Sequence, residues 1–183
     1  MTQTATMERP QIGHSASLEL THALTQTVYR EARMLDDENY VDWVKMLADD
    51  LFYHMPGIET RYRRDKTDQV NDLTRMAYYN DNLEEIKKRL SRLETGTAWS
   101  EDPATRYTHI ITNVEVELTE KPDEHRVFSN FYAYRNRNER EEDSLIGSRV
   151  DIWREAGDAY QLVNRRIVLK HNVLLSKNLN IFL

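Results

Sequence analysis

Cysteine is absent from the chain. Its absence removes structural disulfides, thiolate nucleophiles, cysteine-ligated zinc and cysteine-held iron–sulfur clusters together. Long apolar runs are also missing, and none approaches the roughly 20 residues that span a bilayer. Glycine is scarce: Gly13, Gly57, Gly96, Gly147 and Gly157 are scattered as punctuation and never gather into a phosphate-binding loop. A nucleotide-using enzyme is therefore not expected. No serine stands in a Gly-x-Ser-x-Gly elbow. Positive charge is outnumbered, with 25 Lys and Arg against 31 Asp and Glu and a net charge of -6. General affinity for nucleic acid or an anionic membrane is not expected from such a chain. Residues 1–17 are polar and lack the basic start and apolar centre of a signal peptide, so a flexible N-terminal tail and a cytoplasmic protein are expected.

What is present suits one folded domain over residues 18–183. The chain has 183 residues, of which 39% are hydrophobic and 31% charged, enough for a single core with a polar surface. Leu20, Leu24, Val28 and Leu35 repeat near the helical period behind Ser17, which predicts a capped helix over about 18–35. Tyr40, Trp43, Val44 and Leu47 repeat at i, i+3, i+4 and i+7 and predict a second short helix. "LFYHMPG" reads as a strand stopped by Pro56 and Gly57. The charged stretch 58–76 reads as a loop. Leu83, Ile86, Leu90 and Leu93 form the stripe of a third helix, with Asn80 or Asp81 as its cap, Glu84 and Glu85 in its first turn and Gly96 after its end. From residue 106 the period falls from about 3.6 to 2. Four strand-like runs follow, the last over 159–175, joined by short polar turns that favour an antiparallel meander. Helices first and strands afterwards predict an α+β domain in which N-terminal helices pack on a curved, mostly antiparallel sheet.

The candidate chemistry is thin. Six histidines, at 14, 22, 54, 109, 125 and 171, show neither HxH nor HExxH spacing. Asp50 and His54 as two arms of an iron site fail on geometry, since four strand residues span roughly 13 Å. An acid–base pocket lined by Tyr53, His54, His109 and Asp151 is the enzymatic alternative: a stand-alone isomerase or dehydratase. Against it, a strand Tyr or His is more often a packing group. Of two basic stretches, 86–92 is the wet face of a helix. In the other, "RYRRDK", Arg61, Arg63 and Arg64 beside Tyr62 suit a partner surface. The four large apolar residues Leu179, Ile181, Phe182 and Leu183 must be buried, because each is worth about 1.5–3 kcal/mol.

Three ordered segments then carry a resemblance. "EARMLDDENYVDWVKMLADDLFYHMP", "YNDNLEEIKKRLSRLETGTAWSEDPATRYTHIITNV" and "LVNRRIVLKHNVLLSKNLNIFL" resemble, in order and without large gaps, the small (β) subunit of aromatic-ring-hydroxylating dioxygenases, the Rieske non-haem iron oxygenases. Thr105, where many relatives have Ser, and "KHNVLL" depart from the usual pattern without disturbing the subunit assignment. The resemblance implies a cone-shaped NTF2-like (cystatin-like) fold and a structural subunit with no catalytic, cofactor-binding or metal residues of its own. It implies a partner α subunit holding a Rieske [2Fe-2S] cluster and mononuclear Fe(II), arranged as three α with three β. A ferredoxin and a reductase would supply NADH-derived electrons for the cis-dihydroxylation of an aromatic hydrocarbon by O2. The "WSEDPATR" cluster then reads as a structural corner or interface. Glu101 or Asp102 is expected to pair with Arg106, Pro103 to fix the turn, and Trp99 to cover a sheet edge or meet a neighbour.

Overall fold

The computed structural model describes residues 15–94, 105–139, 141–176 and 179–183. The first helix, α1 (Leu18–Asp36), buries Leu24, Val28, Ala32 and Leu35, and the Ser17 hydroxyl accepts from the amide of Leu20 at 3.2 Å, as a cap should. Just ahead of the cap, Ser15 bridges to Glu117 and the amide of Ala16 donates to the carbonyl of Val116. Ser15 and Ala16 are thus fastened to the sheet. The second helix, α2 (Tyr40–Lys45), is a single turn and a half that starts on Asn39 and buries Trp43.

Strand β1 (Leu47–Pro56) begins four residues before the expected strand, because the amide of Leu162 donates to the carbonyl of Met46 at 2.7 Å and draws the chain into the sheet there. A short strand, β2 (Ala77–Asp81), was not legible in the sequence. It takes up Asn80 and Asp81, the expected caps, and leaves capping of α3 (Leu83–Glu94) to Asn82. Asn82 and Glu85 close a reciprocal capping box: the Asn82 Oδ1 accepts from the Glu85 amide at 3.0 Å, and the Glu85 carboxylate accepts from the Asn82 amide at 2.8 Å. The expected end of that helix at Gly96 lies outside the described residues.

The meander appears as β3 (Arg106–Leu118), β4 (Glu124–Arg137), β5 (Glu141–Ala156) and β6 (Ala159–Leu169). The sheet order is β2-β1-β6-β5-β4-β3, antiparallel throughout except where β1 lies parallel to β6. β6 stops at Leu169 and not near 175; the chain then leaves the sheet and residues 179–183 return beneath it. Two glycines matter. Gly157, at φ +63, opens the two-residue turn between Ala156 and Ala159. Gly147 pairs with Phe131, whose ring would stand 2.6 Å from any Cβ placed there. β3 carries a bulge between Thr112 and Glu115, where Asn113 takes φ 53.

Register fixes two faces. Direct partners share a face, so Val127, Asp151, Arg165 and Tyr53 look inward, toward α1 and the tail. Their neighbours Phe128, Val150, Arg166 and His54 look outward.

Candidate functional site

The inward face of the sheet, between the strands and α1, is where an acid–base pocket would lie, and in this chain it holds a buried charge cluster and the C-terminal tail. Asp151 on β5 and Arg165 on β6 are cross-strand partners. The guanidinium donates to both Asp151 oxygens at 2.9 and 2.7 Å and to both Glu31 oxygens of α1 at 2.7 Å each. Trp43 adds an indole N–H to Glu31 at 3.1 Å. Arg149, two residues before Asp151, donates to Ser129 Oγ at 3.3 Å and stands 3.8 Å from Glu31 and 4.0 Å from Asp151. Glu31, Asp151 and Arg165 are fully buried and Arg149 nearly so. Two carboxylates and two guanidinium groups cancel, which is how four buried charges are tolerated. Burial pushes the Glu31 carboxyl up, but the charge and hydrogen bonds of Arg165, the charge of Arg149 and the Trp43 hydrogen bond together hold the group below its ordinary range. Burial likewise works against a charged Arg165, yet Asp151 and Glu31 raise its pKa well above the usual value. Arg149, desolvated and facing Arg165, is shifted down.

The tail fills the remaining space. Phe182 lies 4.7 Å from the Trp43 ring and 6.2–6.5 Å from the rings of Tyr40, Tyr53 and Tyr79. The main chain of Leu183 both donates to and accepts from the Tyr53 hydroxyl, at 2.7 and 2.8 Å, and its oxygen also accepts from Arg165 at 3.0 Å. The Tyr79 hydroxyl is within 2.9 and 3.0 Å of the carbonyls of Leu179 and Ile181. Burial raises the Tyr53 phenol to about 12. A partly open pocket of about 160 Å³ lies beside Phe182, lined by Tyr79, Arg89, Arg92, Leu93, Leu179 and Asn180.

The four residues of the imagined acid–base pocket do not converge. Tyr53 holds the tail, and Asp151 is saturated by Arg165. His109 is a clamp, with Nδ1 2.6 Å from Asp36 at the end of α1 and Nε2 2.9 Å from the carbonyl of Phe182. His54 lies on the outward face, since successive strand residues point to opposite sides. Its ring stacks on Phe52 at 5.6 Å, and burial followed by the charge of Arg166 lowers its pKa. Asp50 is committed to Arg154 at 3.0 and 2.8 Å. No group of three or more metal-ligating side chains occurs among the described residues. With no cysteine in the sequence, the donor set does not fit a Rieske cluster.

The interface candidates divide. Phe182 is buried inside this chain. Arg61 braces its own loop, pairing with Glu59 at 2.7 Å and Asp65 at 3.1 Å. Asp65 is held at about 2 by the amide and hydroxyl of Thr67 and by Arg61. Arg63 and Arg64 are exposed, with Arg64 stacked 5.5 Å from the centre of Tyr62. Trp99, Glu101, Asp102 and Pro103 lie outside the described residues. Arg106 is exposed at the head of β3 and has no ion pair among the described residues. Sequence reading missed the charge cluster altogether. Its signal was present: Glu31 sits three residues after Val28 and four before Leu35 on the apolar stripe of α1, and Arg165 and Asp151 occupy inward positions two residues from Ile167 and Trp153.

A family model described as "Ring hydroxylating beta subunit" matches residues 30–176. The chain belongs to the ring-hydroxylating β-subunit family. Biphenyl 2,3-dioxygenase subunit beta of Rhodococcus jostii (strain RHA1) is 37% identical over 89% of this chain and 88% of the relative. Benzene 1,2-dioxygenase subunit beta of Pseudomonas putida is 37% identical over 91% and 90%. Among solved structures, a chain of naphthalene 1,2-dioxygenase with indole bound in the active site superposes with a TM-score of 0.82 at 26% identity, over 92% of this chain and 88% of the other. A Nostoc punctiforme PCC 73102 protein with a cystatin-like fold, 13% identical with a TM-score of 0.57 over 88% and 98%, shares the fold. The β-subunit chain described here is thus an α+β, cystatin-like (NTF2-like) domain, a subunit of a ring-hydroxylating dioxygenase. The isomerase or dehydratase alternative finds no support.

Proposed function

We propose that this chain is the non-catalytic structural subunit of a terminal oxygenase, holding large α subunits in the arrangement that cis-dihydroxylates an aromatic hydrocarbon. Membership of the β-subunit family across residues 30–176 carries the reading, and the neutralised, tail-filled interior agrees with it. On this reading the Rieske cluster and mononuclear Fe(II) belong to the α subunit, three α assemble with three β, and a ferredoxin and reductase deliver electrons from NADH in the cytoplasm. The loop carrying Arg63 and Arg64 and the corner from Trp99 to Arg106 belong to the rim of subunit contacts. Choice of arene rests with the α subunit. The test is co-expression of this chain, affinity-tagged, with the large oxygenase subunit from the same organism. A brown complex containing both chains is expected; a colourless tagged chain that elutes alone would overturn the reading.

A further inference from the structure

Tyr79, Tyr53 and Arg165 hold the tail from β2, β1 and β6. From the other edge of the sheet, His109 of β3 holds it too, and holds α1 at the same time. The His109 side chain is 2% exposed. Its Nε2 lies 2.9 Å from the carbonyl of Phe182, and its Nδ1 lies 2.6 Å from Oδ1 of Asp36, the last residue of α1. The Asp36 oxygens also accept from the His109 main-chain amide, at 3.0 and 3.1 Å. The carboxylate is therefore fixed against the ring from two directions. A carbonyl oxygen only accepts, and so does an ionised carboxylate. A neutral imidazole has a single N–H and can satisfy one of the two. With that proton on Nε2, the bare Nδ1 would face a carboxylate oxygen; with it on Nδ1, the bare Nε2 would face the Phe182 carbonyl. Either arrangement presses two acceptors together away from water, where an unmet group is costly. One additional proton removes the conflict. Imidazole is a stronger base than carboxylate, so that proton belongs to the ring.

We infer that His109 is a proton-held latch: as an imidazolium it fastens the C-terminal tail to the end of α1, and the loss of one proton as pH rises lets the tail go. The device belongs to the chain itself and is independent of its partner. Its surroundings favour the cation. The C-terminal end of a helix carries partial negative charge, and Asp36 adds a full one. On β4 and β5, Arg135 and Asp143 share the inward face, but they are direct partners 3.9 Å apart and oppose each other. On α1 and just beyond it, Arg33, Asp37 and Glu38 are exposed, and Ile181, Phe182 and Leu183 of the tail bring no charged side chain. When the ring becomes neutral, its remaining proton belongs on Nδ1, because a hydrogen bond to a carboxylate is stronger than one to a carbonyl. The Phe182 carbonyl then loses its donor, whereas Asp36 keeps both the ring and the His109 amide. The tail is the part released. The unfolded chain gives up this proton in the ordinary imidazole range, near about 6.5. The latch therefore stabilises in full below that range, and its contribution is lost as pH rises through the titration of the folded chain.

Long-range proton–nitrogen NMR on the full chain reads the ring directly. At about pH 7.5, His109 is expected to be doubly protonated while the exposed His22 is mostly singly protonated. The Leu183 amide, which donates to the Tyr53 hydroxyl at 2.7 Å, reports on the tail. Its hydrogen-exchange protection, corrected for the intrinsic effect of pH, is expected to fall at least tenfold between about pH 6 and 9. Asp36→Asn is the discriminating variant. Its side-chain amide can donate to a neutral Nδ1 while its oxygen accepts from the His109 amide, so the tail is expected to stay docked with less than a threefold change over the same range. A singly protonated His109 in the parent at about pH 7.5 overturns the inference. So does tail protection that is independent of pH in the parent, or equally dependent on it in both chains. A loss of protection in Asp36→Asn that is the same at both ends of the range marks a purely structural contact and overturns it as well. The ring measurement needs no variant, so it decides the matter if Asp36→Asn does not fold.

Discussion

Asp151 and Arg165 face each other across β5 and β6 with paired hydrogen bonds of 2.9 and 2.7 Å, and the same guanidinium reaches Glu31 of α1 on its other side. One side chain therefore ties the first helix to the centre of the sheet. Arg165→Met leaves two buried carboxylates without their main partner and is expected to destabilise the chain by about 3–5 kcal/mol, read by urea unfolding of the isolated subunit. Replacing Glu31, Asp151, Arg165 and Arg149 together by apolar residues of similar volume is expected to cost far less than Arg165→Met alone. A small effect of the single change would show that the cluster is not closely coupled.

The same cluster and Tyr53 set the pH limits. The Glu31 carboxyl is held below its ordinary value of 4.5 in the fold, so its contribution is present in full above pH 4.5 and is lost as pH falls through the lower folded value. Acid unfolding is expected to shift to lower pH in the parent than in Glu31→Gln. The Tyr53 phenol, raised from 10.0 to about 12, works in the opposite direction. It favours the fold below pH 10 and loses that preference between 10 and 12. Ultraviolet titration should therefore show its ionisation delayed in the folded chain and released on unfolding.

Phe182 fills a cage built by Trp43, Tyr53 and Tyr79. Phe182→Ala is expected to cost about 3–5 kcal/mol and to leave a cavity walled by aromatic rings. Benzene should then raise the thermal midpoint of the variant and not of the parent, as dry cavities of about 150 Å³ do elsewhere. No benzene-dependent shift would mean that the surrounding side chains collapse into the space.

Gly147 tests the packing of the central strands. A Cβ there would stand 2.6 Å from the Phe131 ring and 2.7 Å from the carbonyl of Val168. The ring can turn aside only at a cost to the core, and the backbone oxygen cannot move without disturbing β6. Gly147→Ala is expected to destabilise by about 1–3 kcal/mol, measured by thermal unfolding, whereas Gly157→Ala meets no atom and is strained only through its positive φ.

Much of this architecture was legible in the chain. The stripe of α1 behind Ser17, the capped third helix and the period-2 runs from residue 106 are local signals, and each formed close to where periodicity put it. Non-local decisions were not legible. β2 is five residues long and owes its existence to pairing with β1, so it hid as a capping region. Parallel pairing of β1 with β6 joins residues more than a hundred positions apart. His54 and Tyr53 looked like neighbours in a pocket, but strand alternation sends them to opposite faces. The charge cluster was missed for a related reason: Glu31 lay on the apolar stripe of α1 and Asp151 was expected in a pocket, but only strand register and the packing of α1 on the sheet bring Arg165 between them. The resemblance named the family, and the absence of cysteine excluded a cysteine-held cluster from this chain before any geometry was known.

On the proposed reading the chain contributes contact and shape while oxidation belongs to its partner. Iron content and arene turnover, measured on the purified small chain, the purified large chain and their reconstituted complex, test it most directly. Expected are no stoichiometric iron and no turnover for the small chain alone, iron that follows the large chain, and full dihydroxylation only when the two are combined. Iron bound by the small chain at one per molecule, or product formed by it alone, would contradict the account.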